Sequence, residues 1–183
     1  AAEPAESALL TIDPAELQKP WQGDLDGMIE RRMIRVLTVN SKTFYFVDKG
    51  TQRGSAVDFF RVFEEQLNKQ LAAQNKLKHK HLKVRVVFIP VSRDQLLPAL
   101  VEGRGDVVAA NLTITPERQQ VVDFTEAGMS NVSEVLVSGP ASPAVSSLED
   151  LSGKQVFVRR SSSYYQSLLA LNQRLTAAGK APV

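Results

Sequence analysis

The feature that most constrains this 183-residue chain is an alternation between two hydrophobic periods. Three short runs are rich in β-branched residues and read as buried strands: residues 35–39 (R-V-L-T-V), 83–89 (K-V-R-V-V-F-I) and 106–110 (D-V-V-A-A). Between the first two, Phe59, Phe60, Phe63, Leu67 and Leu71 recur at spacings of three and four. Glu64, Glu65, Asn68 and Lys69 fall opposite, which predicts an amphipathic helix. Ser92 is placed to cap a second helix over 93–102, closed by Gly103 and Gly105, with Pro98 bending or shortening it. Strand, helix, strand, helix, strand implies right-handed crossovers and a mainly parallel sheet, an α/β fold.

Upstream, Pro4, Pro14 and Pro20 mark a flexible lead-in that becomes ordered near Trp21, Leu25 and Met28, with a short helix over 24–32 capped by Asp24. A loop over 40–54 carries Phe44, Tyr45 and Phe46 and ends in the turn-prone D-K-G-T-Q-R-G. Residues 75–83 read as an exposed connection. Downstream, 132–137 reads as a fourth strand, and the Gly, Pro and Ser of 139–143 mark a boundary. Beyond it, Ser147 caps a short turn and 155–159 forms a strand. Ser161 to Ser163 lead into a helix ending near Ala178, with Gly179 past its end. The expected organisation is a lead-in over 1–32, a first lobe over 33–138, and the start of a second α/β lobe over 139–183. One strand and one helix cannot cover both faces of a sheet, so more chain or a partner is expected there.

Composition narrows the function classes. A hydrophobic share of 43% and a charged share of 23% are those of a soluble globular protein. No apolar run reaches the roughly 20 residues of a membrane span. The net charge of +2, with signs interspersed, does not argue for nucleic acid. The basic run K-L-K-H-K-H-L-K lacks the aromatics of a single-strand groove. Its His79 and His81 read as a solvated face, or as a metal pair lacking a third ligand. With no cysteine, disulfides, thiolate catalysis and cysteine–zinc sites are excluded. The start A-A-E-P-A-E-S lacks the basic and apolar regions of a signal peptide, and its small residues suit either a mature end left by cleavage or simply an arbitrary boundary of the chain. Gly103 and Gly105 follow a helix, whereas a phosphate loop must follow a strand. No cofactor is implied.

The stretch that carries chemistry is N-L-T-I-T-P-E-R-Q-Q-V-V-D-F-T, residues 111–125. It begins where a parallel strand ends, the edge at which open α/β sheets bind ligands. Thr113 and Thr115 offer hydroxyls, and Pro116 opens a helix whose free N–H groups favour an anion. Arg118, on its first turn, is able to present a two-pronged fork to a carboxylate. The alternative is a surface pair with Glu117 or Asp123. Asp106 and Asp123 themselves read as residues that set element ends rather than as acids. Ser161 to Ser163 either cap the last helix, hold an anion, or do both. Phe44, Tyr45 and Phe46 are either loop core or a ligand wall, and Tyr164 and Tyr165 read as packing.

The string L-T-I-T-P-E-R…V-D-F-T resembles the signature of the family 3 extracellular solute-binding proteins. Other landmarks follow in family order: R-V-L-T-V with its aromatic loop, Gly54 through A-V-D-F-F, L-L-P-A-L-V-E-G-R-G-D-V-V-A-A, and L-E-D-L-S-G-K-Q-V-F-V-R-R-S-S-S-Y-Y. The likeness spans about residues 35–183. The lead-in G-D-L-D-G-M-I-E-R-R-M-I-R-V-L and the phrase S-K-T-F-Y-F-V-D are similar to the binding domain of membrane-bound lytic transglycosylase F-type proteins, in which such a domain precedes a peptidoglycan-cleaving one.

The resemblance implies a periplasmic-binding-protein-like (type II) fold and a bacterial periplasmic setting. Thr113 and Arg118 match the family's carboxylate binders. Asn111 stands where a glycine commonly offers its carbonyl to the ligand's ammonium. Ser161 and Ser162 match the second lobe's contacts, and Phe44 and Tyr45 the aromatic wall. Arg93 replaces an expected aromatic and points to a more anionic ligand, and Asp94 is the nearest acid for an ammonium. The expected function is non-catalytic binding of an amino acid or peptidoglycan-derived peptide, with hinge closure near 135–139. The expected neighbour is a fused or adjacent peptidoglycan-cleaving domain. A receptor feeding an amino-acid permease of the ABC transport type and a dehydratase-like enzyme are the alternatives.

Overall fold

The computed structural model describes residues 14–77 and 82–183. The His79 and His81 pair lies outside the described residues. Two compact units are present, divided between Leu112 and Thr113. Residues 113–138 therefore group with 139–183 rather than with the residues before them.

The first unit opens with α1 (Pro14–Gln18) and α2 (Leu25–Glu30), the latter with Asp24 at its N-cap. Next come β1 (Met33–Thr38), a hairpin of β2 (Phe46–Asp48) and β3 (Thr51–Arg53), and α3 (Ser55–Ala73). β4 (Arg85–Pro90), a tight turn over Arg93–Gln95, α4 (Leu96–Val101) and β5 (Val107–Val108) complete it. The sheet order is β4-β1-β5, parallel throughout, so the expected α/β class with a parallel sheet holds. β1 is central and every residue of it is buried. α3 lays Phe60, Leu67 and Leu71 on this sheet, against Ile34, Val36 and Val84.

Local chemistry explains the departures from the sequence reading. The aromatic loop contains a hairpin, because Lys49 (φ 47°) and Gly50 (φ 80°) make a two-residue turn with both φ values positive. Phe59, expected on the buried face of α3, is 66% exposed, while Asn68, expected outside, is buried. The reason is the edge of β4. The Asn68 amide donates to Val84 O (2.9 Å) and accepts from Val84 N–H (2.9 Å), and Glu64 Oε2 accepts from Val86 N–H (2.7 Å). These polar side chains occupy backbone groups that an edge strand would otherwise leave open. Pro98 falls in the first turn of α4, where its missing N–H matters least, and the turn over Arg93–Gln95 replaces the expected start of that helix.

At the opposite end of the sheet, a charge cluster fastens the lead-in. The Arg35 guanidinium is fully buried and pairs with Asp106 (2.9 Å), which Arg31 also contacts. Arg35 further donates to Lys19 O (2.8 Å) and Gly103 O (2.7 Å), and Arg31 stacks 3.9 Å over the Trp21 ring. The described part of the lead-in is thus bonded to the unit. Asp106 is the buried partner of two arginines and also accepts from Arg35 N–H (2.6 Å), which is more than marking a strand end.

The second unit holds α5 (Pro116–Gln119), a tight turn over Leu148–Leu151 and α6 (Ser163–Ala177). Its core is Leu151, Leu171 and Leu175, with Val145, Val156, Leu168 and Val183 packed around it. Ser147 and Asp150 form a reciprocal cap at the turn, and Gly179 adopts φ 71° beyond α6, both as expected. The strands expected over 132–137 and 155–159 do not form. Neither run has a ladder partner in this unit, and a strand without one leaves its backbone groups to water. Exposure alternates residue by residue from Lys154 to Val158, so the second run keeps a strand's period without a sheet. No helix among the described residues is long and apolar enough to cross a membrane.

Candidate functional site

The second unit assembles its site from two segments distant in sequence. Thr115 is extended (φ −131°) and its hydroxyl accepts from Arg118 N–H at 3.4 Å, while Pro116 occupies the first helical position of α5. That cap sets the Arg118 side chain. Its Nη1 donates to Thr113 O at 2.7 Å, and its Nη2 to Ser161 O at 3.3 Å. The guanidinium is half-buried and spans 43 residues of sequence to the serine-rich turn. Ser163, which is buried, donates to the Thr113 hydroxyl at 3.3 Å. The structure therefore brings together Thr113, Arg118, Ser161 and Ser163.

The alternative partners of Arg118 are not used. Among the described residues it makes no ion pair with Glu117 or Asp123. The Glu117 carboxyl faces its own backbone N–H and then the Thr115 hydroxyl, which hold it below the usual carboxylate range.

The serines also differ from the simplest reading. Ser162 is the N-cap residue of α6, yet its hydroxyl donates to Arg159 O (2.6 Å) and makes no capping bond. The first N–H groups of this 15-residue helix therefore receive no side-chain cap. A helix N-terminus left so, with a guanidinium beside the preceding turn, has the polarity that suits a carboxylate. Sequence reasoning found the serine run but not which hydroxyl turns away. Ser163, which joins the two segments, is read in the sequence only as one of the run Ser161 to Ser163, and no spacing rule connects it to Thr113.

A cavity of about 810 Å³ also lies in this unit, lined by 134–139, 154–158 and the apolar flank of α6. Its walls are dominated by Val135, Val137, Val156, Phe157, Leu168 and Leu171, with charge confined to Glu134, Lys154 and Arg174. It does not include Arg118. A small carboxylate is better served by the fork and helix terminus than by this apolar space.

The remaining candidates sit in the first unit. Tyr45, expected as an aromatic wall, is 6% exposed. It packs against Phe88 at 5.6 Å, and its hydroxyl accepts from Gln52, so it belongs to the core. Phe44 is half-buried and carries the Arg93 guanidinium 5.8 Å from its ring centre. Arg93 donates from Nη1 to Ala110 O at 3.1 Å. Asn111 is exposed with φ 45°, a left-handed geometry that glycine and asparagine tolerate better than other residues. Among the described residues no group of three or more His, Cys, Asp or Glu side chains is placed to hold a metal.

Comparison with known proteins gives one consistent result. Residues 34–180 match the model of the bacterial extracellular solute-binding proteins, family 3. The membrane-bound lytic murein transglycosylase F of Desulfosudis oleivorans is 33% identical over 138 residues, 75% of this chain and 27% of its own. That of Yersinia pestis is 33% identical over 159 residues, 84% of this chain and 29% of its own. The chain thus spans less than a third of these relatives. Among solved structures, an ancestral arginine-binding protein bound to arginine is 29% identical, covering 78% of this chain and 57% of that one, with a TM-score of 0.47. An ancestral amino-acid-binding protein, a precursor of cyclohexadienyl dehydratase, is 38% identical over 56% of this chain and 40% of that one, with a TM-score of 0.38.

Proposed function

Because the chain belongs to the family 3 bacterial extracellular solute-binding proteins, we propose that it binds a small carboxylate, without turnover, at Arg118. The observation that carries this reading is the Arg118 guanidinium bridging Thr113 and Ser161 next to the uncapped N-terminus of α6. The incoming carboxylate takes the remaining guanidinium N–H groups and the free amides of the helix's first turn. The Thr113 and Ser161 hydroxyls complete its shell. Such charge-assisted bonds are the strong ones, and both donors are fixed before the ligand arrives.

The ligand is an amino acid or a peptidoglycan-derived peptide, and the setting is the bacterial periplasm. The likeness to lytic transglycosylase F proteins over 75% and 84% of the chain favours a sensor beside a peptidoglycan-cleaving domain over a receptor for a permease. In that arrangement ligand binding biases the neighbouring domain only as far as the ligand distinguishes its states.

Calorimetry on wild type and Arg118→Ala, with amino acids and muropeptides, tests the reading. The substitution is expected to weaken carboxylate binding by at least about tenfold, from the loss of charged hydrogen bonds worth about 1.5–3 kcal/mol each. Far-ultraviolet circular dichroism is expected to stay unchanged, since the side chain is not core. Equal affinity in the two proteins would overturn the proposal.

A further inference from the structure

We propose that residues 17–22 are a releasable clasp across the base of the first unit. They lift off as one piece while the sheet stays folded, and when docked they hold the turn between α4 and β5.

The clasp is fastened largely through its backbone. Arg35 Nη1 donates to Lys19 O (2.8 Å) and Leu17 O (3.4 Å), and Nη2 to Trp21 O (3.3 Å). Trp21 N–H donates to Gly103 O (2.9 Å) and Gln22 Nε2 to Val101 O (2.6 Å), so the end of α4 is tied down as well. The indole of Trp21, the chain's single tryptophan, lies 3.9 Å under the Arg31 guanidinium. Three glycines make the seat of this residue. A Cβ at Gly23 or Gly27 would stand 2.8 or 2.7 Å from the ring. One at Gly103, whose φ is 71°, would stand 2.7 Å from the Trp21 carbonyl oxygen.

Two features let the clasp leave. Each of residues 15–22 is at least partly exposed, so release uncovers little apolar surface and leaves the cluster of Ile34, Val36, Phe60, Leu67, Leu71 and Val84 intact. Nor does release strand Arg35. Its Nη2 keeps Gly103 O (2.7 Å) and Asp106 (2.9 Å), and water reaches the donors that the clasp vacates. Docking gains a few hydrogen bonds and one ring contact, set against the lost freedom of six residues. That balance gives an open state populated at about 0.1–10%. The turn that the clasp holds joins α4 to β5, so docking sets how firmly those two elements meet.

Hydrogen exchange on the 183-residue chain, followed by nuclear magnetic resonance at low urea, tests this. The Trp21 N–H is expected to be protected about 10–1,000-fold, with almost no dependence on urea. The amides of β1 are expected to be protected at least about tenfold more, with a steep dependence, since they wait for global unfolding. A shared rate and urea slope for Trp21 and β1 overturns the inference. Gly27→Ala gives an independent reading, because alanine favours α2 while its Cβ evicts the ring. Tryptophan emission is expected to shift to the red, and the amides of residues 102–104 to exchange about tenfold faster. Far-ultraviolet circular dichroism and β1 protection are expected to stay unchanged. Unmoved emission, or faster exchange that extends over β1, overturns it too.

Discussion

The two units treat similar sequence material in opposite ways. In the first, a β-branched run becomes a fully buried central strand, flanked by two parallel neighbours and overlaid by a helix whose amide closes the open edge. In the second, runs of comparable strand character stay outside any sheet, and Val135, Val137 and Phe157 are 82%, 87% and 90% exposed. The difference teaches that strand propensity is a preference for a pleated, half-covered surface and comes to nothing without a partner. It also separates scaffold from site. The first unit holds the Arg93 guanidinium on the Ala110 carbonyl and beside the Phe44 ring, whereas the second unit holds Arg118 through two carbonyls around an otherwise open helix end.

The largest expected effect comes from the charge cluster that closes the first unit. Asp106→Ala leaves the buried Arg35 without its counter-ion and is expected to cost about 3–5 kcal/mol, read by urea denaturation. A loss below about 1 kcal/mol would show that the buried Arg35–Asp106 pair does not hold the first unit together. Next is Asn68→Ala, which strands the Val84 N–H and C=O. A loss of about 1–3 kcal/mol is expected by the same measurement. Phe157→Ser is expected to change stability by no more than about 0.5 kcal/mol, because its ring already faces water, and to reduce binding of a hydrophobic dye. A large loss would mean that the second unit packs this ring after all.

The smallest effect is a pH dependence. The Asp150 carboxyl accepts from Ser146 and Ser147 N–H (2.9 Å each), which holds it below the usual range. A lowered folded-state value means its contribution is present above the unfolded value and is lost as pH falls through the lowered one. The thermal midpoint of the second unit is expected to fall across that acid window in wild type, and to fall less in Asp150→Asn. Identical acid profiles would show that the cap contributes nothing.

Much of the first unit was legible in sequence, because its strands are short β-branched runs buried as a whole, its long helix repeats at 3.6 residues and its helix ends carry proline, serine and glycine signals. The inversion of Phe59 and Asn68 was not, since it depends on which backbone edge the helix meets. At the site, T-I-T-P-E-R announced an N-cap, a first-turn proline and an arginine, and Thr115 and Pro116 take those positions. Tyr45 misled because an aromatic in a loop fits core and wall equally until Phe88 and Gln52 are placed beside it. The Thr113–Ser163 bond joins residues 50 apart, and only the fold brings them together. The paired charges of Arg35 and Asp106, 71 residues apart, escaped for the same reason.

Amide-detected nuclear magnetic resonance during titration with an amino-acid carboxylate addresses the central claim most directly. The account expects the N–H signals of Ser163 and Tyr164 and the Arg118 side-chain signal to move together with one saturation curve, and to stay still in Arg118→Gln. Movement of those helix amides that persists undiminished in Arg118→Gln, or shifts confined to the apolar cavity around Val137 and Phe157, would contradict it.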